Sequence, residues 1–308
     1  MKIIKHFFLF VTLFIFSQFS YATLNPLTDF GANPGSLEAS YYTPQKKTSS
    51  LVVLLHGCTQ NGKQLAKQSG LLSLAKHHKF SLLIPQQGLM NNITRCFNWY
   101  SDDDNNKDKG ENLSLKNMII SLKEKLGSKN VYIIGLSAGG AITGSLLVNY
   151  PELFTAGAIV AGVPYSCADG FFSAISCMKS GPPQNSNELM ILAKKLNPQQ
   201  TQWPQLSVWT GNKDNVVNPK NAIALAQQWV KITNINTPAK IENFTGYKIS
   251  QWQNDNQQIQ VELVQLANLG HGITVNPEEK NGGEVADYLL TAPISTIKHV
   301  INLWGLNK

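Results

Sequence analysis

Ser137 sits in Gly135-Leu136-Ser137-Ala138-Gly139, and its flanks make that five-residue pattern informative. Val131-Tyr132-Ile133-Ile134 is an apolar run rich in β-branching, the mark of a buried strand, and residues 141–148 have the spacing of a buried helix. Strand, Gly-x-Ser-x-Gly and helix together make a nucleophile elbow. The turn is too tight for side chains at Gly135 and Gly139, and it lifts the Ser137 hydroxyl above the sheet with a helix N-terminus beneath it. A serine hydroxyl is a poor nucleophile unless a base takes its proton. The chemistry therefore needs a histidine and a group that orients it.

Two later loops supply them in the order that such elbows use, serine, then acid, then histidine. Thr210-Gly211-Asn212-Lys213-Asp214 follows a strand at residues 206–209 and presents Asp214. Asn268-Leu269-Gly270-His271-Gly272 follows a strand at 261–266 and presents His271, whose flanking glycines let the backbone turn while the imidazole points back over the sheet. Asp169 is the second choice for the acid. His77 and His78 fall at the polar end of a helix, and His299 falls on the last one. The oxyanion of acyl transfer needs two backbone N–H donors. Ala138 offers one, and Cys58, after the glycine of Leu55-His56-Gly57-Cys58-Thr59, offers the other. His56 is expected to hold that loop rather than to move protons.

The elements that position these residues alternate. Strands are predicted at 37–43 and 51–56, joined by a turn around Pro44-Gln45-Lys46-Lys47, and a helix at 63–78 follows. A strand at 81–85, a polar loop at 86–111 and a helix at 113–126 precede the elbow. Beyond it come a strand at 156–161 and an irregular Ser-, Gly-, Pro- and Gln-rich insertion at 163–204. A strand at 206–209, a helix at 221–232, a hairpin around Asn254-Asp255-Asn256, and a helix at 284–304 broken near Pro293 complete the chain. Strands alternating with helices predict an α/β domain, its sheet mostly parallel, with helices on both faces and the insertion after the fourth or fifth parallel strand.

Lys2 and Lys5 precede an apolar run, and Ser20-Tyr21-Ala22 carries small residues where a signal peptidase reads, so residues 1–22 are expected to be a cleaved secretory signal. The remaining 23–308 is enough for one catalytic domain, and no stable membrane anchor is expected after cleavage. The formal charge of +7 falls to +5 without Lys2 and Lys5, and the remaining lysines are scattered, which argues against a nucleic-acid partner. Four cysteines in a secreted chain predict two disulfides among three possible pairings. Cys167 and Cys177 could close the insertion locally, leaving Cys58 with Cys96. No Cys-x-x-Cys pair supports zinc, and Asp102-Asp103-Asp104 fails the calcium-loop template, so no metal is expected.

The blocks His56-Gly57-Cys58-Thr59-Gln60, Arg95-Cys96-Phe97-Asn98-Trp99-Tyr100, Gly135–Gly140 and Ala161-Gly162-Val163-Pro164-Tyr165 resemble the esterase family of poly(3-hydroxybutyrate) depolymerases, which also includes feruloyl and acetylxylan esterases. The likeness runs from about Leu37 to His271, and its Cys-x-Asn-Trp block is far more specific than the elbow alone. It implies the α/β-hydrolase fold, a Ser137–Asp214–His271 triad, the Cys58 and Ala138 amides as oxyanion hole, no cofactor, and the pairings Cys58–Cys96 and Cys167–Cys177. Trp99 is then a candidate wall of the substrate pocket, or a packing residue. Secreted depolymerases of solid polyester usually carry a further polymer-binding domain after a linker. The chain ends soon after its last helix, so oligomers, amorphous polymer or soluble esters are the expected substrates. A binding protein on the same fold would be expected to lack a triad member or an elbow glycine, and a peptidase would need a sizeable cap.

Overall fold

The computed structural model describes residues 24–45 and 48–307; the signal expected over 1–22, and Lys46 and Lys47 of the first turn, lie outside them. Among the described residues one sheet dominates. Its strands are β1 (Asn25–Pro26), β2 (Glu38–Tyr42), β3 (Ser50–Leu55), β4 (Ser81–Gln86), β5 (Asn130–Leu136), β6 (Ala156–Val160), β7 (Gln205–Gly211), β8 (Lys240–Phe244), β9 (Tyr247–Gln253) and β10 (Ile259–Leu266), in the order β1-β2-β4-β3-β5-β6-β7-β10-β9-β8. The run from β4 to β10 is parallel, and both edges are antiparallel. A small second sheet pairs β11 (Ile273–Val275) with β12 (Leu289–Thr291).

The parallel strands read as unbroken apolar runs because both of their faces are covered. Successive side chains alternate between two cores. Leu51, Val53, Leu55, Val131, Ile133 and Val208 point into one, which also takes Leu115 and Met118 from α4 (Gly110–Leu126), Ile142 and Leu146 from α5 (Ala138–Asn149), and Leu225 and Trp229 from α8 (Lys220–Ile232). Val52, Leu54, Tyr132, Ile134 and Trp209 point into the other, with α1 (Gly62–Gln68), α2 (Leu71–His78) and α9 (Thr296–Leu303). No helix among the described residues is long and apolar enough to cross a membrane.

Four local expectations change. The helix predicted at 63–78 is two helices, α1 and α2. The chain breaks at Ser69-Gly70, where Gly70 takes φ +82° and a Cβ would meet the Asn281 carbonyl at 2.4 Å. The insertion follows β6, the fourth strand of the parallel run in chain order, and is not irregular. It contains α6 (Phe171–Ser180) and α7 (Ser186–Leu196), the latter started by a capping box between Asn185 and Glu188. The turn at 254–258 joins β9 to β10, but a second turn at Thr245-Gly246 adds β8, so the segment is a three-stranded ribbon. The terminal helix covers only Thr296–Leu303, with Ser295 capping it, and the residues before it supply β12. A further short helix, α3 (Asp102–Asn105), lies in the polar loop and contains the three consecutive aspartates.

Candidate active site

Every candidate residue comes from a loop at the C-terminal end of a parallel strand, the crevice position of open α/β sheets. Ser137 leaves β5 with φ 55° and ψ −119°, a conformation that L-residues avoid and that typically costs on the order of 1–3 kcal/mol. The neighbours over-determine it. Ser137 N–H donates to Val160 O at 2.9 Å, Ala141 N–H donates to Ser137 O at 2.9 Å, and α5 begins at the next residue. A Cβ on Gly135 would lie 2.1 Å from Gly139 O, and one on Gly139 2.4 Å from Leu55 O. The elbow therefore packs directly on the end of β3.

Asp214 and His271 arrive from β7 and β10, which pair in register. Lys213 N–H donates to Leu269 O at 2.8 Å, and Asn268 N–H to the Asn212 side chain at 2.7 Å, so the two loops are laced together. Gly211 permits the approach, since a Cβ there would lie 2.3 Å from Leu269 O. Asp214 Oδ1 accepts from the amides of Val216 at 2.9 Å and Val217 at 2.8 Å, and Oδ2 lies 2.7 Å from His271 Nδ1. The carboxylate is an acceptor only, so the shared proton sits on Nδ1 and His271 Nε2 is left as a base. His271 and Ser137 line the same cavity, together with Gly57, Cys58 and Tyr288. Asp169 instead accepts from the Ser173 hydroxyl at 2.8 Å beside α6, and His299 is held by Glu262 at 3.0 Å beneath the sheet.

Two amide donors are left over here. Among the described residues neither Cys58 N–H nor Ala138 N–H has an intramolecular hydrogen bond. The Gly57–Cys58 peptide is locked by His56, whose Nε2 accepts from Gln87 N–H at 3.1 Å, so its protonated Nδ1 donates to Gly57 O at 2.7 Å. With the carbonyl pinned to one side, the Cys58 N–H of that trans peptide points to the other. Gly57 N–H is itself bound by Gln60 Oε1 at 2.8 Å, and a Cβ on Gly57 would lie 3.3 Å from Ser137 Cβ. Cys58 is bonded to Cys96, and Cys167 to Cys177. The first bridge ties this loop to the segment carrying Trp99.

Burial, with the Gly57 hydrogen bond opposing it, lowers the His56 pKa to about 4. An unfolded chain takes up that proton near pH 6.5, so this group makes folded-state stability fall as pH drops from about 6.5 toward 4, by up to about 1.4 kcal/mol per unit. We expect a histidine-resolved NMR titration to show His56 neutral between about pH 7 and 5. A midpoint above pH 6 would mean that the ring is not locked.

A buried carboxyl that the sequence did not single out organises the neighbouring loop. Glu111 accepts from Asn98 N–H at 2.8 Å, Gln87 Nε2 at 2.5 Å and Asn91 Nδ2 at 3.1 Å. Burial pushes its pKa up to about 8 against the pull of those donors. Trp99, 7% exposed, packs edge-on against Tyr100 and lines a largely apolar cavity of about 220 Å³ with Ala138, Val163, Phe171 and Ile175. It is thus both a buried packing residue and a cavity wall. No sequence signal finds Glu111 or Tyr288, because their partners are distant in the chain.

The family model described as Esterase PHB depolymerase matches residues 39–242. The chain belongs to that family. It is 31% identical over 298 residues to poly(3-hydroxyalkanoate) depolymerase C of Paucimonas lemoignei, covering 94% of this chain and 72% of the relative. It is 29% identical over 237 residues to feruloyl esterase B of Talaromyces funiculosus, covering 73% of this chain but only 64% of that one. Among solved structures, acetyl xylan esterase from Aspergillus awamori superposes with a TM-score of 0.77 at 22% identity, covering 92% and 99% of the two chains, which shows the α/β-hydrolase fold. The chain is a carboxylic ester hydrolase of the type that includes depolymerases and feruloyl and acetylxylan esterases.

Proposed function

We propose that the protein is a secreted serine esterase acting on hydroxyalkanoate polymer or oligomers, with Ser137 as nucleophile, His271 as general base and acid, and Asp214 as its orienting group. The observation that carries this reading is the convergence of a strained serine, a carboxylate-held imidazole and the unbonded Cys58 amide on one cavity, with the unbonded Ala138 amide on the adjoining cavity that Ser137 and Cys58 also line. Ser137 Oγ attacks the ester carbonyl and its proton passes to His271 Nε2. The carbonyl oxygen becomes an oxyanion facing the N–H groups of Cys58 and Ala138. Collapse expels the alcohol, which takes the proton from Nε2, and leaves an acyl-Ser137 ester. Water then attacks that ester, gives its proton to His271, and the acid departs as Ser137 is restored. No step calls for a cofactor or metal.

The apolar cavity beside Ala138 suits a short acyl group, and the relative named as a poly(3-hydroxyalkanoate) depolymerase supports that substrate class. The aromatic walls Trp99, Tyr100 and Phe171 favour a second reading, a feruloyl ester. Export is supported by the leader-like residues 1–22 and by two disulfides. The test is hydrolysis, by protein lacking residues 1–22, of a short-chain aryl ester, a 3-hydroxybutyrate oligomer and a feruloyl ester. Oligomer preference with an active-site phosphonate mapped to Ser137 is the expected result. Feruloyl preference would move the substrate to the second reading, and no turnover on any of the three would point to a different ester or to a binding protein on a hydrolase fold.

A further inference from the structure

A second cavity, of about 420 Å³, opens on the His271 side of the site. Thr59, Gln60 and Tyr288 line both it and the Ser137–His271 cavity, so the two are continuous. The apolar Trp99 cavity shares no lining residue with the second one and does not include His271. Proton delivery fixes which half of an ester goes where. The leaving oxygen must lie against His271 Nε2, so the acyl half faces Trp99 and the alcohol half runs past Tyr288 into the second cavity.

The lining of that cavity is biased toward donors. Gln60 spends its side-chain oxygen on Gly57 N–H, at 2.8 Å, and Asn61 spends its own on Gln64 N–H, at 3.1 Å. With both oxygens spent, what these two lining amides have left to offer a ligand is their NH2 groups, an assignment that follows from the backbone donors that they accept. Beside them stands Arg95, the only arginine in the 308-residue sequence, where every other basic side chain is lysine or histidine. Its backbone is fixed at φ 52° next to the Cys58–Cys96 bridge, and among the described residues its guanidinium has no ion pair or hydrogen bond. A planar fork left unpaired among amide donors matches a carboxylate, which only accepts. The one opposing group is Asp287, exposed on the same groove and not bonded to Arg95, where water and salt screen it.

We propose that Arg95, with the Gln60 and Asn61 amides, binds the free carboxylate of the leaving hydroxy acid, so that the enzyme cuts hydroxyalkanoate oligomers from their carboxyl end. This rests on the esterase reading above. Each cleavage there releases a short hydroxy acid whose hydroxyl received the His271 proton and whose carboxylate stays paired with Arg95 until it leaves.

The experiment compares kcat/KM for the linear 3-hydroxybutyrate trimer as free acid and as its terminal methyl ester, scoring internal cleavage by the hydroxy-acid products. The wild type is expected to favour the free acid by about 10- to 100-fold, mostly through KM, with less preference at high salt. Arg95→Gln is expected to collapse that ratio, Arg95→Lys to retain part of it, and Asp287→Asn to raise it. Taking the ratio within one enzyme cancels any general damage to the neighbouring oxyanion loop. Equal rates on acid and methyl ester in the wild type, or a ratio that Arg95→Gln leaves intact, would overturn the proposal while the esterase reading stands. Failure of the wild type to cleave either trimer, with Ser137-dependent turnover only on other esters, would remove the substrate class and the proposal together.

Discussion

Ser137→Ala is expected to lower kcat for ester hydrolysis by about 10⁴- to 10⁶-fold, with little change in KM. Without Oγ no acyl-enzyme can form, and His271 has only a water to activate. With the Cys58 and Ala138 amides as the proposed oxyanion hole, what should survive is the rate enhancement from binding and from those amides, which in comparable sites leaves roughly 10³–10⁴ over the reaction in water. Stability should respond differently. Alanine keeps a Cβ at φ 55°, so the strain stays and the melting temperature hardly moves. Ser137→Gly removes Oγ and Cβ together. It should be as inactive as the alanine variant, yet as stable as the wild type or more so. Relief of about 1–3 kcal/mol of strain is set against about 0.5–1 kcal/mol from the greater freedom of glycine in the unfolded chain. Initial rates and thermal melts on the three proteins decide it. An alanine variant within tenfold of wild-type kcat would remove Ser137 as nucleophile, and a glycine variant that melts well below the wild type would mean that the elbow stores no strain.

Much of this arrangement was legible because the relevant signals are local. The elbow strand, its two glycines and the helix behind it lie within about twenty consecutive residues, and Asp214 and His271 each follow a buried apolar run that marks a strand end. What failed depended on contacts far along the chain. Residues 63–78 have unbroken helical spacing, and the break at Gly70, with its φ of +82° and its close approach to Asn281, is not revealed by that period. The stretch before Pro293 reads as helix until β11 offers it a strand partner. The capping box of α7, by contrast, was present as Asn185 and Glu188 and was hidden by the polar composition around it. In α6 the apolar period is blurred by Phe171 and Phe172, which face solvent. At the site, Glu111 reaches Gln87 and Asn98 across turns with no periodic signal, and Arg95 and Tyr288 line one cavity only because the fold brings the loop after β4 near the segment before β12.

Gly139→Ala is expected to do severe damage to activity with a single methyl group. The new Cβ would lie 2.4 Å from Leu55 O and 2.5 Å from His56 O, both backbone atoms at the end of β3. Neither can rotate away, so α5 and the Gly57–Cys58 loop must separate by about an ångström to restore ordinary contact. That displacement falls on the two surfaces that present the Ala138 and Cys58 amides. Losing one oxyanion donor typically costs about 10²- to 10³-fold in kcat, and Gly139→Ala should spoil the relation between the two proposed donors. We expect kcat to fall by about 10³-fold, with KM less affected, and stability to fall by about 1–3 kcal/mol from overpacking. Gly144→Ala, on the same helix, is the control. Its Cβ would meet Ile159 Cδ1 at 3.5 Å and Val163 O at 3.7 Å, which is ordinary contact. There the substitution should keep full activity and add about 0.5–1 kcal/mol, because alanine suits a helix interior better than glycine does. If Gly139→Ala retained kcat within tenfold, the oxyanion hole would not depend on the close seating of α5 against β3. If Gly144→Ala were as harmful as Gly139→Ala, the damage would belong to the helix and not to the contact.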